Sequence, residues 1–520
     1  MAKIKTLTAV GILILTFLAQ IFGHLLLKNY MPNAAVGGVG FVLVALLFTY
    51  VLFIRRDVFG FILIVYICSH FSYADNQGGL WNLMTFGVLV IFFFVSDIQK
   101  QEGFLQKDYP MSILIGIFLL WNFAGWAIKN PMPLVSMLEG IAALLGFLLM
   151  FKLSSNVRIT PDRVRLFLTV SFFMVLYQFA VALNQRYMLV DWNTPLIGNY
   201  SKFGSLLEGD ELDNKEAITS GTLRHFELFG EYGLLLTCLL LPLLSASTTQ
   251  KVIRFGSNRV VIMIFLCIAF IMLTSNRAAA VLLVLAIAFF YVLFAIRLFS
   301  SIDRVGNQAK VIIVVAVLVP IIGVYVGLDQ IIKDFSDLAP RLAKLSIGGV
   351  VSGEDINRGE LVSAGALRLK SESWMFGYGY GIPQSNQWAW FGVDTFKHDV
   401  GVTDLHSLYL SLPELFGWVG SLAFVSMIVI TEFRLFIVSL KYRRKNSFLL
   451  VLALGFTMFW GVFLVNEYKI SIFRNPNYQM LFWIWLGLSN SLVKTIYLEK
   501  LSSVQLSPLP FQFSNRSKTI

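Results

Sequence analysis

Blocks of about 15 to 22 apolar residues, separated by polar breaks, recur along this chain of 520 residues. No other feature restricts its fold as much. A run of that length is what an α-helix needs to cross about 30 Å of hydrocarbon, where backbone N–H and C=O groups must be satisfied inside the element itself. The alternation over about 10 residues that a membrane β-barrel requires is absent. Only 14% of the residues are charged and 57% are hydrophobic, whereas soluble domains carry about 25% charged residues. The expected architecture is an all-α polytopic membrane protein with about 12–14 transmembrane helices and a long extracytoplasmic loop carrying short helices.

About fourteen blocks lie near 7–26, 35–54, 58–71, 79–95, 111–128, 133–151, 165–183, 228–246, 259–273, 278–296, 311–327, 413–436, 447–466 and 477–495. With Lys3 and Lys5 in the cytoplasm, the basic connections around Lys152/Arg158/Arg163/Arg165, Lys251/Arg254/Arg259 and Lys441/Arg443/Arg444/Lys445 all fall on the inner side. The short outer connections hold one or two basic residues each, such as Lys28 and Lys129. That bias predicts cytoplasmic termini. The chain then divides into a helix bundle over 1–327 with an outer loop at 184–227, a long outer loop at 328–412, further spanning helices over 413–495, and a cytoplasmic tail at 496–520. Within the long loop, the spacing of Ile331 to Leu338 predicts a short helix on the membrane surface, and 360–374 a second. Met1 to Lys5 lead into an apolar run without a small-residue cleavage pattern, which reads as a first spanning helix and not a removed signal.

The formal charge of +11 is spread over connections and forms no basic domain, so no nucleic-acid partner is expected. Cys68, Cys238 and Cys267 all lie inside apolar blocks, where packing is their expected role. There is no GxxxxGK[ST] loop, no HExxH and no CxxC, so neither ATP hydrolysis nor zinc peptidase chemistry has support. The first outer loop, His24 to Asn33, has no Asp or Glu, unlike metal-dependent lipid-linked glycosyltransferases, which place a carboxylate there.

Polar residues with chemical capacity collect on the expected outer side. Arg277, in Thr274-Ser275-Asn276-Arg277, sits at the mouth of a hairpin of apolar blocks. An arginine there can simply snorkel to headgroups, but its small neighbours allow close helix packing, and a buried guanidinium suits a phosphate. Arg358 stands about nineteen residues before the glycine run Gly377-Tyr378-Gly379-Tyr380-Gly381. That run serves either a tight turn or close approach to a ligand. His406 precedes Tyr409 and Glu414 at helical spacing. It is either an interfacial side chain or a group that exchanges a proton near neutral pH. A carboxylate at Glu414 costs several kcal/mol unless paired.

In order and spacing these features resemble the O-antigen ligase and O-antigen/exopolysaccharide polymerase superfamily, over roughly 220–420. The shared pattern is Ser-x-Arg opening a helix, an arginine before Gly-x-Gly, and His-[Asn/Ser]-x-Tyr-Leu…Glu-x-x-Gly after a long outer loop. Ser407 stands where the family usually has Asn, and Trp374-Met375-Phe376 lacks the proline common before the glycines. The resemblance implies a C-type membrane glycosyltransferase of the bacterial inner membrane, facing the periplasm. Such an enzyme transfers a glycan from undecaprenyl diphosphate to an acceptor sugar with no metal and no cofactor. It further implies that Arg277 and Arg358 hold the diphosphate and that His406 acts on the acceptor hydroxyl. Arg224, His225 and Glu231 are candidate sugar-channel residues or else a membrane-interface cluster, and Tyr409 and Glu414 are supporting candidates. The acceptor is a second lipid-linked glycan for a polymerase, the leading expectation because the chain has two sizeable outer loops, or a lipid A core for a ligase. A chain-length regulator protein is a further partner of the polymerase reading. A lipid-linked oligosaccharide transporter is the competing class, but its key polar residues belong near the bilayer midplane. An envelope assembly protein would leave His406 dispensable.

Overall fold

Each apolar block within the described residues forms a helix. The computed structural model describes residues 58–70, 108–129, 134–187, 221, 223, 226–244, 246–274, 276–295, 375–377, 379–380, 407–443, 447–468, 472 and 476–505, some at helix ends by backbone only. The expected helices near 7–26, 35–54, 79–95 and 311–327, the two short helices of the long loop and the tail past 505 lie outside them.

The helices are α1 (Val58–Cys68), α2 (Tyr109–Lys129), α3 (Leu134–Ser154), α4 (Pro161–Tyr187), α5 (Phe226–Leu244), α6 (Ser247–Ile253), α7 (Ser257–Leu273), α8 (Arg277–Ala295), α9 (Leu408–Lys441), α10 (Phe448–Asn466) and α11 (Pro476–Gln505). No strand occurs among the described residues. Six of these helices (α2, α4, α5, α9, α10 and α11) are long and apolar enough to cross a membrane, and α1, α3, α7 and α8 contribute shorter apolar stretches. The protein is an all-α polytopic membrane protein. Leu120, Phe289, Leu422 and Phe433 point outward from α2, α8 and α9, the surface an integral protein offers to lipid tails.

At the centre runs α5, whose spanning stretch Glu227–Leu244 is wholly buried. It is flanked by α7, α8 and α10. Lipid gives apolar helices no hydrophobic reason to associate, so contact depends on close packing. Glycines allow it here. A β-carbon on Gly233 of α5 would sit 2.6 Å from the Cys267 carbonyl oxygen of α7, and one on Gly455 of α10 would sit 2.7 Å from the Leu239 carbonyl oxygen of α5. Cys238 and Cys267 are free, buried packing residues, as expected. Around this core α2 lies along α9, α3 along α11, and α1 against α3, α4 and α11.

The helix ends separate into two faces. At one, Asp108 before α2 receives Arg434 of α9 through both guanidinium nitrogens, at 2.8 and 3.2 Å. Burial would raise the Asp108 carboxyl, but the paired guanidinium outweighs it and holds the group below its usual value. Lys494 Nζ of α11 donates to the Ser155 carbonyl at 3.3 Å, and the Ile159 N–H to Thr495 Oγ1 at 3.2 Å. α11 itself continues to Gln505, ten residues past the expected boundary at 495. Lys494 is buried against the α3–α4 connection, not solvated as the end of an apolar run would be. The other face collects the ends near His70, Gln178, Glu227, Ser407, Asn466 and Tyr478.

Candidate functional site

The construction of this second face begins with Asn276. Its side-chain oxygen accepts the Ala279 N–H at 3.1 Å, capping α8 so that Arg277 is the first helical residue. Its Nδ2 donates to the Glu227 carbonyl at 3.2 Å, tying that N-terminus to the start of α5. One turn into α5, Glu231 is fully buried. Asn466 Nδ2 donates to its Oε2 at 2.5 Å and Tyr478 OH to its Oε1 at 2.9 Å, so a single carboxylate joins α5, α10 and α11. The next residue, Glu467, accepts the Leu408 N–H on its carbonyl at 3.0 Å, while its Oε2 takes the Ile472 N–H at 3.2 Å. Tyr409 donates its hydroxyl to the Leu464 carbonyl. The N-terminus of α8 and the first turn of α9 therefore belong to one continuous set of contacts.

Beside it lies a second buried network. His70 Nδ1 is 2.6 Å from the Tyr66 carbonyl, which can only accept, so Nδ1 carries the proton. In the neutral ring Nε2 then accepts from Tyr232 OH at 2.9 Å. Tyr66 OH meets Ser171 Oγ at 3.1 Å and Tyr232 OH at 3.5 Å, and Gln178 Nε2 donates to the His70 carbonyl at 3.3 Å. Glu231 and Tyr232 are adjacent on α5, so this helix carries both networks.

The glycine run has a structural partner. Gly417 has φ 66° and ψ 174°, which breaks α9 into a stretch ending at Phe416 and a longer one beyond. In an unbroken helix the Leu415 carbonyl would accept from residue 419. Here it accepts the Gly379 N–H at 2.7 Å. A β-carbon on Gly377 would collide with the Leu415 and Phe416 backbone, one on Gly417 with the Met375 carbonyl, and one on Gly379, itself at φ 90°, with the Trp126 indole. From α2, Trp121 Nε1 donates to the Met375 carbonyl at 2.7 Å, and Asn122 Oδ1 accepts the Tyr380 N–H at 3.0 Å. The close approach of these glycines is thus, at Gly377, to the α9 break and, at Gly379, to Trp126 of α2. Asn122 Nδ2 and Trp126 Nε1 are buried here without a protein partner, as is Ser407 Oγ at the start of α9. Each has hydrogen-bonding capacity left for water or a ligand.

Of the residues singled out from sequence, Glu231, Tyr409 and Glu414 are described, and all lie at this face. Glu231 has both oxygens engaged within the bundle, a supporting position. Tyr409 holds the first turn of α9, and Glu414 is buried one turn before the break. Arg277 is placed as the first residue of α8, with its side chain outside the described residues. Arg224, His225, Arg358 and His406 lie outside them, as does most of the loop between α8 and α9. His70, Tyr232, Asn466, Glu467 and Tyr478 had not been singled out. Their sequence signal is a polar side chain within or at the end of an apolar block, which by itself marks a paired group. Among known proteins, the sequence matches no family model and no curated protein.

Proposed function

We propose that the chain is a metal-independent membrane glycosyltransferase that moves a glycan from undecaprenyl diphosphate to an acceptor sugar at the outer leaflet of a bacterial inner membrane, working as a polysaccharide polymerase. The observation that supports this reading is the convergence at one face of the capped α8 N-terminus, which starts at Arg277, and the first turn of α9, which follows His406. A helix N-terminus favours an anion, and an arginine in its first turn adds a fork of donors matched to phosphate. In this reading Arg277 and Arg358 neutralise the diphosphate as it leaves, which is where negative charge grows. His406 accepts the proton of the acceptor hydroxyl as that oxygen bonds to the anomeric carbon and the anomeric carbon–phosphate oxygen bond breaks. The sugar-channel role of Arg224 and His225 belongs to the same reading.

The deciding experiment incubates purified protein with undecaprenyl-diphosphate glycan alone and then with a lipid A core. Growth of the lipid-linked glycan alone is expected, and growth only on the core identifies a ligase. His406→Ala is expected to lower the rate by about 10²–10⁴-fold, the range for loss of a general base. Full-length polymer from membranes holding normal amounts of His406→Ala and Arg277→Ala would rule the reading out.

A further inference from the structure

At the Asp108 face, opposite the polar networks, the helices leave a cavity whose described lining is eleven residues, ten of them apolar. It is a half-open hollow, and the space between its walls comes to about 470 Å³ only when the open mouth is counted. Phe167 of α4, Leu239 of α5, Leu452 and Phe456 of α10 and Leu488 of α11 form its walls, with Phe59 of α1 beside them. Among the described wall residues the one that carries a charge is Arg163, in the first turn of α4. Its Nη1 donates to the Arg158 carbonyl at 3.1 Å, and its guanidinium lies 5.8 Å from the centre of the Phe59 ring. The cation is therefore held at the helix end, over an apolar hollow.

Cation and hollow together define the occupant. Along α4 the lining runs from Arg163 to Leu168, and along α10 from Leu452 to Phe456. At 1.5 Å per residue this is roughly 6–8 Å of depth, enough for the upper part of one acyl chain. An acyl chain seated there gains dispersion contacts with the apolar walls, and lipid tails are the apolar material at hand in a bilayer. Burial alone gives a tail little reason to leave the bilayer, since both surroundings are apolar. The selectivity must come from the head, where a planar guanidinium pairs with a phosphate through parallel hydrogen bonds. Arg158 is exposed on the connection before α4, and Arg165, within α4, is paired with Asp162 at 3.2 Å; with Arg163 the three cations outnumber this one carboxylate, which favours a lipid of net negative charge.

We propose that this cavity is a binding site for one anionic phospholipid, its phosphate on Arg163 and the glycerol end of one acyl chain between α4, α5, α10 and α11. The site lies at the opposite end of the bundle from Arg277, so it is separate from the glycan site proposed above.

Native mass spectrometry of the purified full chain tests it, with phosphatidylglycerol and phosphatidylcholine titrated separately. Wild type is expected to retain one phosphatidylglycerol per chain and to bind phosphatidylcholine about tenfold more weakly. Arg163→Gln is expected to weaken phosphatidylglycerol by about tenfold, the order of one charge-assisted hydrogen bond. Leu452→Trp, which fills the hollow, is expected to abolish retention of both lipids. Equal binding of the two lipids by wild type, or undiminished phosphatidylglycerol on Arg163→Gln, overturns the proposal. Arg163 lies at the edge of the fold, so its variant decides the question even where the tryptophan variant does not fold.

Discussion

Glu231 accepts from Asn466 and Tyr478, which stand 235 and 247 residues away in the chain. A carboxylate in an apolar block announces in the sequence that it needs partners, but not which ones. The bundle supplies them from two later helices, and the same contact aligns Glu467 to hold the start of α9. Replacing Glu231 by alanine strands two buried donors, each costing about 1–3 kcal/mol. Glu231→Ala is therefore expected to destabilise the protein by about 3 kcal/mol or more. Glu231→Gln should cost about 1 kcal/mol, since its amide oxygen still accepts from Tyr478 and Asn466 can turn its own amide to accept. Thermal unfolding in detergent checks both, and an unchanged midpoint for the alanine variant would remove Glu231 from this role. Ser407 is the converse case: its hydroxyl is buried without a protein partner, beside the histidine on which the proposed chemistry depends.

Among the elements, α9 has the most consequential irregularity. Its sequence contains Pro413 and Gly417, and the structure breaks it at the second. The break frees a carbonyl that the glycine run then uses, so Leu415 and Gly379, 36 residues apart in the chain, complete one another. The run itself was legible as a place of close approach. What it approaches was not, because a glycine records only that a side chain would be in the way. Gly377→Ala and Gly417→Ala are expected to lower the melting temperature sharply, the second through its positive φ as well. Gly116→Ala and Gly461→Ala meet nothing within 4 Å and should be neutral or slightly stabilising. If all four behave alike, the docking of the glycine run on α9 is not what these residues secure.

For the whole molecule, the up-and-down order read from charge makes a joint prediction for every helix end. Arg163 and Lys494 should share one side, Glu231 and Tyr468 the other. The structure groups the ends in that way, although which side faces outward belongs to the functional proposal. Single cysteines test it: Tyr468 is 67% exposed and the Asp162 side chain 75%, while Cys238 and Cys267 are buried and silent. An impermeant thiol reagent on intact cells is expected to label Tyr468→Cys, and Asp162→Cys only once the membrane is opened. Labelling of both from one side would break the alternation. The sequence by itself determined the fold class, the positions of the described spanning helices and the order in which their ends alternate. Backbone satisfaction in hydrocarbon leaves a long apolar run only one spanning form, the helix, and basic residues mark one side of the bilayer. Which helix lies against which was decided only in three dimensions. Apolar surfaces are interchangeable in lipid, so the partners of α5 were chosen by the close approach at Gly233 and Gly455 and by hydrogen bonds such as that from Asn466 to Glu231.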